Sequence, residues 1–368
     1  MHFPGAGGRE MLDKIRECAA PLTAWYQHAK REMPWRSDPA PYHVYVSEIM
    51  LQQTRVETVR PYYLRFITEL PDFDALAACP EERLLKLWEG LGYYSRVRNM
   101  KKTAEILVRD CGGQFLRSFS ELRKLPGIGD YTAGAILSIA FHEKEPVVDG
   151  NVLRILSRLT GLTESIDLPA TKKRCMDALR AFLSESEADP AVFNQALMEL
   201  GALICIPNGA PLCNSCPLAG FCMAYREGRI SELPVRSPKI KRKKAVLTAF
   251  LIFRGSSLML VKNSRKSLLS GLWALPSYEG APDPERTAAF LSELGIVPAK
   301  IRALPDKKHI FTHVEWQLHG IEVLTDPDAE AAEENLPESA RFVSPKELRE
   351  EIALPEAYRK WKLIPGEN

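Results

Sequence analysis

The sequence has no long apolar run and little net charge. Its longest apolar stretch, around residues 245–253, is far shorter than the ~20 residues that a membrane-spanning helix needs. Residues 1–9 are rich in glycine and lack the apolar core of a secretory signal, so we expect a cytoplasmic protein without membrane association. The net charge of +2 over 368 residues does not by itself indicate a polyanionic partner. The chain is long enough for two or three domains.

The pattern of residues 10–232 predicts a mostly helical region. Within residues 151–159, for example, the spacing places Val152, Ile155 and Leu156 on one face. Short Pro/Gly stretches interrupt the helical pattern, and runs of alternating polar and apolar residues are not evident there. We therefore predict a helical domain over residues 10–232.

The composition changes after residue 232. Residues 236–244 contain six basic residues and no acidic ones, which indicates a linker that gains affinity near nucleic acid through counterion release, or simply a solvated tether. We place this linker at residues 233–245. Strand-like patterns follow at residues 246–253, 257–261 and 311–323, with a helix at 284–294, so we predict an α+β domain over residues 246–368.

Four of the eight cysteines lie within 18 residues. Their gaps of seven, two and five residues let short loops bring four thiolates around one metal centre. Soft sulfur ligands select zinc or an iron–sulfur cluster, and the spacing alone leaves both open. The clustered residues are Cys205, Cys213, Cys216 and Cys222. The other four cysteines are scattered singly, which is typical of core or inert surface thiols.

A glycine-rich turn between two helical segments carries the next signal. In Leu125-Pro126-Gly127-Ile128-Gly129 the glycines permit a tight turn, and the helix after it begins at Asp130 with bare N–H groups that can hold a phosphate. On its own, such a turn is just as consistent with a plain corner between two helices as with a phosphate site. Followed by Asp149 and the cysteine cluster, it is a specific pattern.

This ordered set resembles the helix–hairpin–helix DNA glycosylases of the endonuclease III superfamily, and within them the adenine-specific MutY branch. The likeness extends over nearly the whole chain. It rests on the hairpin, Asp149, the cysteines and further motifs: Trp35-Arg36, Ser47-Glu48, Gln52-Gln53-Thr54, Gly90 to Arg96, Leu272-Trp273 and Phe311-Thr312-His313. The resemblance implies a [4Fe–4S] cluster rather than zinc, and double-stranded DNA with A:8-oxoguanine or A:G mispairs as the partner of a monomer. In a bacterium it would be associated with the nucleoid.

Breaking an N-glycosidic bond requires an acid for the leaving base and a carboxylate for the cationic sugar. Glu48 lies in an otherwise largely apolar run, where desolvation would raise its pKa. A surface glutamate on a helix is the plainer interpretation, but the resemblance assigns Glu48 as the acid. Asp149 precedes a helix, where an N-cap role also favours its anion. The resemblance implies that Asp149 supports or covalently captures the sugar cation, with Asn151 and Tyr131 positioning it and the attacking water.

Position 131 also predicts the reaction type. Bifunctional enzymes of the endonuclease III type carry a lysine there that forms a Schiff base. A phenol cannot form an imine, so Tyr131 predicts a monofunctional glycosylase.

An enzyme that acts on a stacked base must flip it out of the duplex. The resemblance implies that Gln53 and Tyr93 act as wedges and that Gly127 and Gly129 bind phosphate. It assigns the adenine pocket to three further residues: Arg31, Trp35 and Gln195. In isolation, Gln53 is plausible as a helix-surface residue, Tyr93 as a core residue and Gln195 as a buried capping amide.

The second domain resembles the Nudix, or MutT, fold. Its helix at 284–294 carries only Glu285 and Glu293, too few carboxylates for a metal-dependent nucleotide hydrolase, so we expect the fold without that chemistry. The resemblance implies that Phe311, Thr312 and His313 recognise 8-oxoguanine, with Thr312 where the family usually has serine. Three other hypotheses remain: a bifunctional lyase, a Nudix hydrolase and a silent DNA-binding iron–sulfur protein.

Overall fold

The structure is a computed structural model that describes residues 6–207, 209–238, 242–263, 269–326 and 336–365. Residues 1–5 of the glycine-rich start and residues 239–241 of the predicted linker lie outside the described part. Contacts divide the chain into two compact units, Met1–Ala78 with Ser95–Lys239 and Cys79–Tyr94 with Ile240–Asn368. The functional bounds 10–232, 233–245 and 246–368 stay a prediction.

The first unit is helical throughout its described residues, as its sequence pattern predicts. The helices are numbered in chain order, so α6 falls within this series although it belongs to the second unit. They are α1 (Ala6–Ala29), α2 (Pro34–Ser37), α3 (Pro41–Leu51), α4 (Val56–Glu69), α5 (Phe73–Ala78), α6 (Glu81–Leu87), α7 (Ser95–Cys111), α8 (Phe119–Leu122), α9 (Asp130–Ala135), α10 (Gly150–Thr160), α11 (Pro169–Glu185), α12 (Pro190–Leu203) and α13 (Met223–Arg226). A π-helical turn, Ile136–Ala140, continues α9, and short 3₁₀ turns occupy Cys213–Ser215 and Ala219–Phe221. Among the described helices, none has the length and hydropathy that a bilayer crossing requires.

Helix α10 lies in the core of this unit because its ends and its apolar face are both encoded locally. Asp149 caps its N-terminus, and Gly161 ends it with φ 66°, a left-handed conformation that glycine adopts without strain. Val152 and Leu156 are buried among side chains of α1, α11 and α12, as the spacing predicts. The helix therefore positions the residues at its N-terminus relative to three neighbours.

The second unit contains a seven-stranded mixed sheet in its described residues. The strands are β1 (Lys243–Arg254), β2 (Ser257–Lys262), β3 (Trp273–Ala274), β4 (Ser277–Glu279), β5 (Pro298–Ile310), β6 (Val314–Thr325) and β7 (Ala340–Val343). The order is β3-β2-β1-β6-β5, with β4 against β1 and β7 against β2. Only the β1–β6 pair is parallel among these. Helices α14 (Pro284–Glu293) and α15 (Pro345–Glu350) complete the unit.

The predicted β1–β2 hairpin and the helix at α14 are confirmed, but the strand predicted at 311–323 is wrong at its start. Strand β6 begins at Val314, and residues 311–313 form the reversal from β5, closed by Phe311 N–H donating to the Val314 carbonyl at 2.8 Å. The prediction started the strand too early because Phe311 is aromatic, and aromatic residues are common in strands. Strand β5 was missed because it carries Pro298 and Pro305 and is exposed along most of its length.

We predict that Gly134→Ala destabilises the first unit. A Cβ at this buried position would overlap the backbone carbonyl of Pro146, which cannot move aside as a flexible side chain can. The expected loss is about 1–3 kcal/mol in the free energy of unfolding, measured by thermal denaturation. Gly150→Ala is the matched control, since a Cβ there meets open space in the first turn of α10. Equal stability of the two variants would contradict this packing argument.

Candidate active site

Glu48 lies on a helix that is apolar on nearly every side. In α3 the residues from Tyr42 to Met50 are buried, apart from a half-buried His43, and the Glu48 side chain is only 6% exposed. Burial raises the pKa of Glu48 to about 7, a hydrogen bond from Tyr131 lowers it, and the charge of Asp149 raises it further. Its Oε2 atom has no hydrogen-bond partner among the described residues. The desolvation expected for Glu48 is therefore present in the fold.

Asp149 is held by hydrogen bonds on both carboxylate oxygens. Oδ1 accepts the backbone N–H of Val152 at 2.8 Å, and Oδ2 accepts the Asn151 side-chain amide at 2.6 Å. The predicted N-cap is thus present. The expectation that capping alone keeps Asp149 anionic needs a correction, because burial outweighs these hydrogen bonds and raises its pKa above the usual value.

Tyr131 brings the two carboxyls into one electrostatic group. Its phenol, at the start of α9, interacts with Glu48 and feels the charge of Asp149. Burial and these two negative charges raise the pKa of Tyr131 well above its usual value, so the phenol stays neutral. The hydroxyl also donates to the Met198 sulfur at 3.4 Å. Helices α3, α9 and α10 therefore converge on one small acidic site.

Glu199 is a residue that the sequence interpretation missed. It is 1% exposed on α12 and accepts hydrogen bonds from Arg31 at 2.8 and 3.1 Å and from Arg36 at 2.8 Å. Burial opposes its ionisation, but the two arginines overcome that cost and lower the pKa of Glu199 to about 2. The signal that singled out Glu48 could also have found Glu199, because Glu199 is likewise a lone carboxylate in an apolar helix.

Of the three residues predicted for an adenine pocket, Arg31 belongs to this ion cluster, and Trp35 directly precedes its second arginine, Arg36, in the chain. Arg31 is engaged by Glu199, so its guanidinium is fixed in orientation. Gln195 precedes Glu199 by one turn of α12 and donates to the Ala191 carbonyl at 3.1 Å. Trp35 is 6% exposed and packs edge-on against Tyr63, with ring centroids 5.2 Å apart.

Arg154 connects the acidic site to the cysteine loop. Its guanidinium donates to the Asn151 side-chain oxygen at 2.8 Å, to the Gly201 carbonyl at 2.9 Å and to the Cys205 carbonyl at 2.7 Å. One buried cation thus fixes the amide that in turn holds Asp149. Sequence spacing could not reveal this link, since its partners lie about 50 residues apart.

The four clustered cysteines interact with one another electrostatically and are half-buried. Arg158 donates to the Cys205 sulfur at 3.2 Å, and the Leu212 N–H closes the long first gap on the Ile204 carbonyl at 3.0 Å. Residue 208 of that gap lies outside the described residues. Within the described ranges, no three Cys, His, Asp or Glu side chains are close enough to bind a single metal ion.

The predicted hairpin has the expected conformation. Gly127 has φ 77°, and a Cβ there would lie 2.9 Å from the Asn99 Cβ, so both the backbone and the space require glycine. Gly129 occupies the N-cap position of α9, where a Cβ would meet open space. Gly127 is therefore exposed at the turn with Asn99 packed against it, and Gly129 is half-buried.

The two predicted wedge residues share an unusual backbone. Gln53 and Tyr93 have φ of 62° and 47°, in the left-handed region that non-glycine residues seldom adopt, and both are exposed. Arg96 stabilises the chain before Gln53 by donating to the carbonyls of Ile49, Met50 and Gln52 at 2.6–3.0 Å. Strain held in this way is typical of functional positions.

In the second unit, the reversal at 311–313 presents one ring and one hydroxyl. Phe311 packs between His309 and Trp316, with centroid separations of 4.5 and 4.8 Å. Thr312 is exposed, and its hydroxyl shares a hydrogen bond with that of Tyr93. His313 is exposed, and its carbonyl accepts the Lys243 N–H at 3.0 Å.

Comparison with known proteins decides the family. A model of the HhH-GPD superfamily of base excision DNA repair proteins matches residues 46–181, and a NUDIX domain model matches residues 248–362. The adenine DNA glycosylase of Mus musculus is 33% identical over 89% of this chain and 74% of its own length. That of Buchnera aphidicola subsp. Baizongia pistaciae is 34% identical over 82% and 84%. The chain belongs to the adenine DNA glycosylase family.

The predicted fold class is confirmed as well. A thermostable thymine-DNA glycosylase of known structure is 26% identical with a TM-score of 0.53, and the match covers 58% of this chain and 98% of that one.

We predict that Glu48→Gln stabilises the protein more at pH 8 than at pH 5. Since burial raises the pKa of Glu48 to about 7, its ionisation opposes folding, and the penalty grows from about pH 4.5 until pH 7. The neutral amide avoids up to about 3 kcal/mol of this penalty above pH 7.

The measurement is the melting temperature of both proteins across pH 5–8. Glu17→Gln, which removes an exposed carboxylate on α1, controls for surface charge. A variant that is no more stable than the wild type at pH 8 would show that Glu48 ionises without a desolvation cost.

Proposed function

We propose that this adenine DNA glycosylase removes adenine paired with 8-oxoguanine or guanine, as a monofunctional enzyme acting as a monomer on double-stranded DNA. The observation that carries the proposal is the convergence of Glu48, Tyr131 and Asp149 on three different helices of the first unit. Burial raises the pKa of both carboxyls, and the charge of Asp149 raises the pKa of Glu48 further, to about 7, which keeps a proton available on Glu48 near neutral pH.

The unequal hydrogen bonding of the carboxyls assigns their roles. Asp149 accepts two hydrogen bonds that stabilise its anion, whereas Glu48 Oε2 has no partner among the described residues. The proton therefore resides on Glu48, which donates it to N7 of the leaving adenine. Asp149 stabilises the positive charge that develops on the sugar, and Asn151 and Tyr131 orient Asp149 and the attacking water.

The remaining predicted residues take part in finding and holding the base. Arg31, which pairs with Glu199, and Gln195, one helical turn from Glu199, offer hydrogen bonds to adenine, and Trp35 offers a ring for stacking. Gln53 and Tyr93 fill the space that the everted base leaves. In the hairpin, exposed Gly127 and half-buried Gly129 bind phosphate through backbone N–H groups.

Recognition of the opposite base is assigned to the second unit. Phe311, Thr312 and His313 lie together on one turn between β5 and β6. A threonine hydroxyl can hydrogen-bond the oxidised edge of 8-oxoguanine as the usual serine does. The ring of Phe311 is already held by two neighbours, so the turn is preorganised.

The cysteine loop is assigned to a [4Fe–4S] cluster because the likeness to the endonuclease III superfamily implies one. Four cysteine thiolates on a short loop suit such a cluster, which binds one cysteine per iron. Cys205, Cys213, Cys216 and Cys222 would hold it, and Arg158 lies against one sulfur. When bound, the cluster supplies a four-point cross-link of the loop.

We expect Glu48→Gln to abolish adenine release while leaving mispair binding intact. In the wild type, the rate should fall about tenfold for each pH unit above 7, because the protonated carboxyl is lost. The assay quantifies abasic sites in duplexes carrying A:8-oxoguanine, A:G or thymine glycol, before and after alkali. Glu17→Gln is the matched control.

The same assay tests the alternatives. Strand breaks without alkali, or a covalent complex trapped by borohydride, would reveal lyase activity that Tyr131 cannot supply. Release of the damaged base from thymine glycol, without release of adenine from A:8-oxoguanine, would show that the substrate is an oxidised pyrimidine instead. Retained activity in Glu48→Gln would mean that another group donates the proton.

We expect about four irons per chain in the purified protein and their loss in Cys213→Ala. Cys111→Ala is the control, since Cys111 lies outside the loop at the end of α7. Metal content and the visible absorption of the cluster measure the outcome. One zinc per chain in place of iron would overturn the assignment.

A further inference from the structure

Two nearly buried charges lie where α6 ends, inside the second unit. The side chains of Lys86 and Glu89 are 11% and 12% exposed and form an ion pair at 2.8 Å. Lys86 also donates to the carbonyls of Leu348 at 2.8 Å and Ile352 at 3.0 Å, at the C-terminal end of α15. A cation at this end of a helix is favoured by the unpaired carbonyls.

Glu89 extends the network along the C-terminal segment. Its Oε1 atom accepts the Leu354 N–H at 2.8 Å and forms an ion pair with Arg359. Most other ion pairs of the described unit are exposed, as in Lys262–Glu82, where the side chains are 47% and 61% exposed. An ion pair withdrawn from water in this way keeps its geometry, whereas an exposed ion pair contributes little to stability.

The segment that Glu89 holds continues to the hairpin that carries the recognition turn. Trp361 donates its indole N–H to the Pro305 carbonyl of β5 at 3.0 Å, and its ring lies against Gly320 of β6. Lys360 donates to the Lys308 carbonyl of the same strand. The position of β5 and β6, and hence of residues 311–313, is therefore tied to Glu89.

On its other side, Glu89 directly precedes the turn that presents Tyr93. Gly90 and Gly92 have φ of 99° and 68°, and the Gly92 carbonyl accepts the Trp88 indole N–H at 3.0 Å. This tight turn ends at Tyr93, whose hydroxyl bonds that of Thr312. Lys86 and Glu89 are thus connected, through these contacts, to both Tyr93 and Thr312, the two residues that share this hydrogen bond.

We propose that Lys86 and Glu89 are positioning residues that set how the 311–313 turn meets Tyr93, and thereby determine the preference for 8-oxoguanine over guanine. The inference rests on the proposed function. The two opposite bases differ by few polar atoms, so their discrimination depends on one or two well-placed hydrogen bonds. Each such bond contributes about 1 kcal/mol, or roughly fivefold in affinity.

The test compares Glu89→Gln with Glu82→Gln. Both remove a carboxylate from the α6 region, but Glu82 takes part only in the exposed pair with Lys262 among the contacts described for it. Duplex affinities are measured in the inactive Glu48→Gln background, for adenine opposite 8-oxoguanine and opposite guanine. We expect the ratio of the two affinities to fall about fivefold with Glu89→Gln and to stay unchanged with Glu82→Gln.

A second variant and a coupling measurement guard against a merely structural effect. Arg359→Gln removes a partner of Glu89 that is 40% exposed, so folding is preserved and the ratio should fall in the same direction. In a Tyr93→Phe background, Glu89→Gln should cause no further fall, because the contact through which it acts is already gone.

An unchanged ratio in folded Glu89→Gln and Arg359→Gln would overturn the proposal, as would a fall that adds fully to that of Tyr93→Phe. Failure of the proposed function is recognised separately. In that case the wild type releases no adenine from either duplex, while the affinity ratio still reports on the positioning pair.

Discussion

Desolvation of two neighbouring carboxyls is the constraint on which the site depends. Burial raises the pKa of both Glu48 and Asp149, and the charge of Asp149 raises the pKa of Glu48 further. The fold resolves the conflict by unequal hydrogen bonding: Asp149 accepts the N-terminal N–H of α10 and an amide, while Glu48 lies among apolar side chains of α3. An acid and an anion can therefore coexist within one site near neutral pH, at the expense of stability.

The charges around this site are held by buried contacts, which keep it ordered. Glu199 forms ion pairs with both Arg31 and Arg36 where the adenine pocket is proposed, so this cluster keeps one net positive charge, and a pKa of about 2 keeps Glu199 ionised across physiological pH. Arg154 donates to the Asn151 side-chain oxygen and to two backbone carbonyls. Removing one partner of such a network leaves a buried charge uncompensated, so these residues support the geometry of Glu48 and Asp149 rather than the proposed chemistry itself.

The second unit shows how a recognition turn can be built from distant parts of one chain. Residues 79–94 lie between helices of the first unit in sequence, yet their contacts group them with the Nudix-like sheet. The strained backbone of Tyr93 and the reversal at 311–313 are each fixed by their own tight turn. Their meeting depends on the buried pair of Lys86 and Glu89 and on the segment from Leu354 to Trp361.

Local patterns in the sequence determined much of this protein. The helix of Asp149, the glycine turn, the β1–β2 hairpin and α14 follow from capping, spacing and turn chemistry, which neighbours in sequence specify. The family motifs indicated the catalytic and cysteine residues. Tertiary structure alone decided that Glu199 holds two arginines, that Arg154 joins Asn151 to Cys205, that burial offsets the cap on Asp149, and that exposed β5 pairs with β6. These features depend on groups far apart in sequence and on exclusion of water, and neither quantity is present in a local pattern.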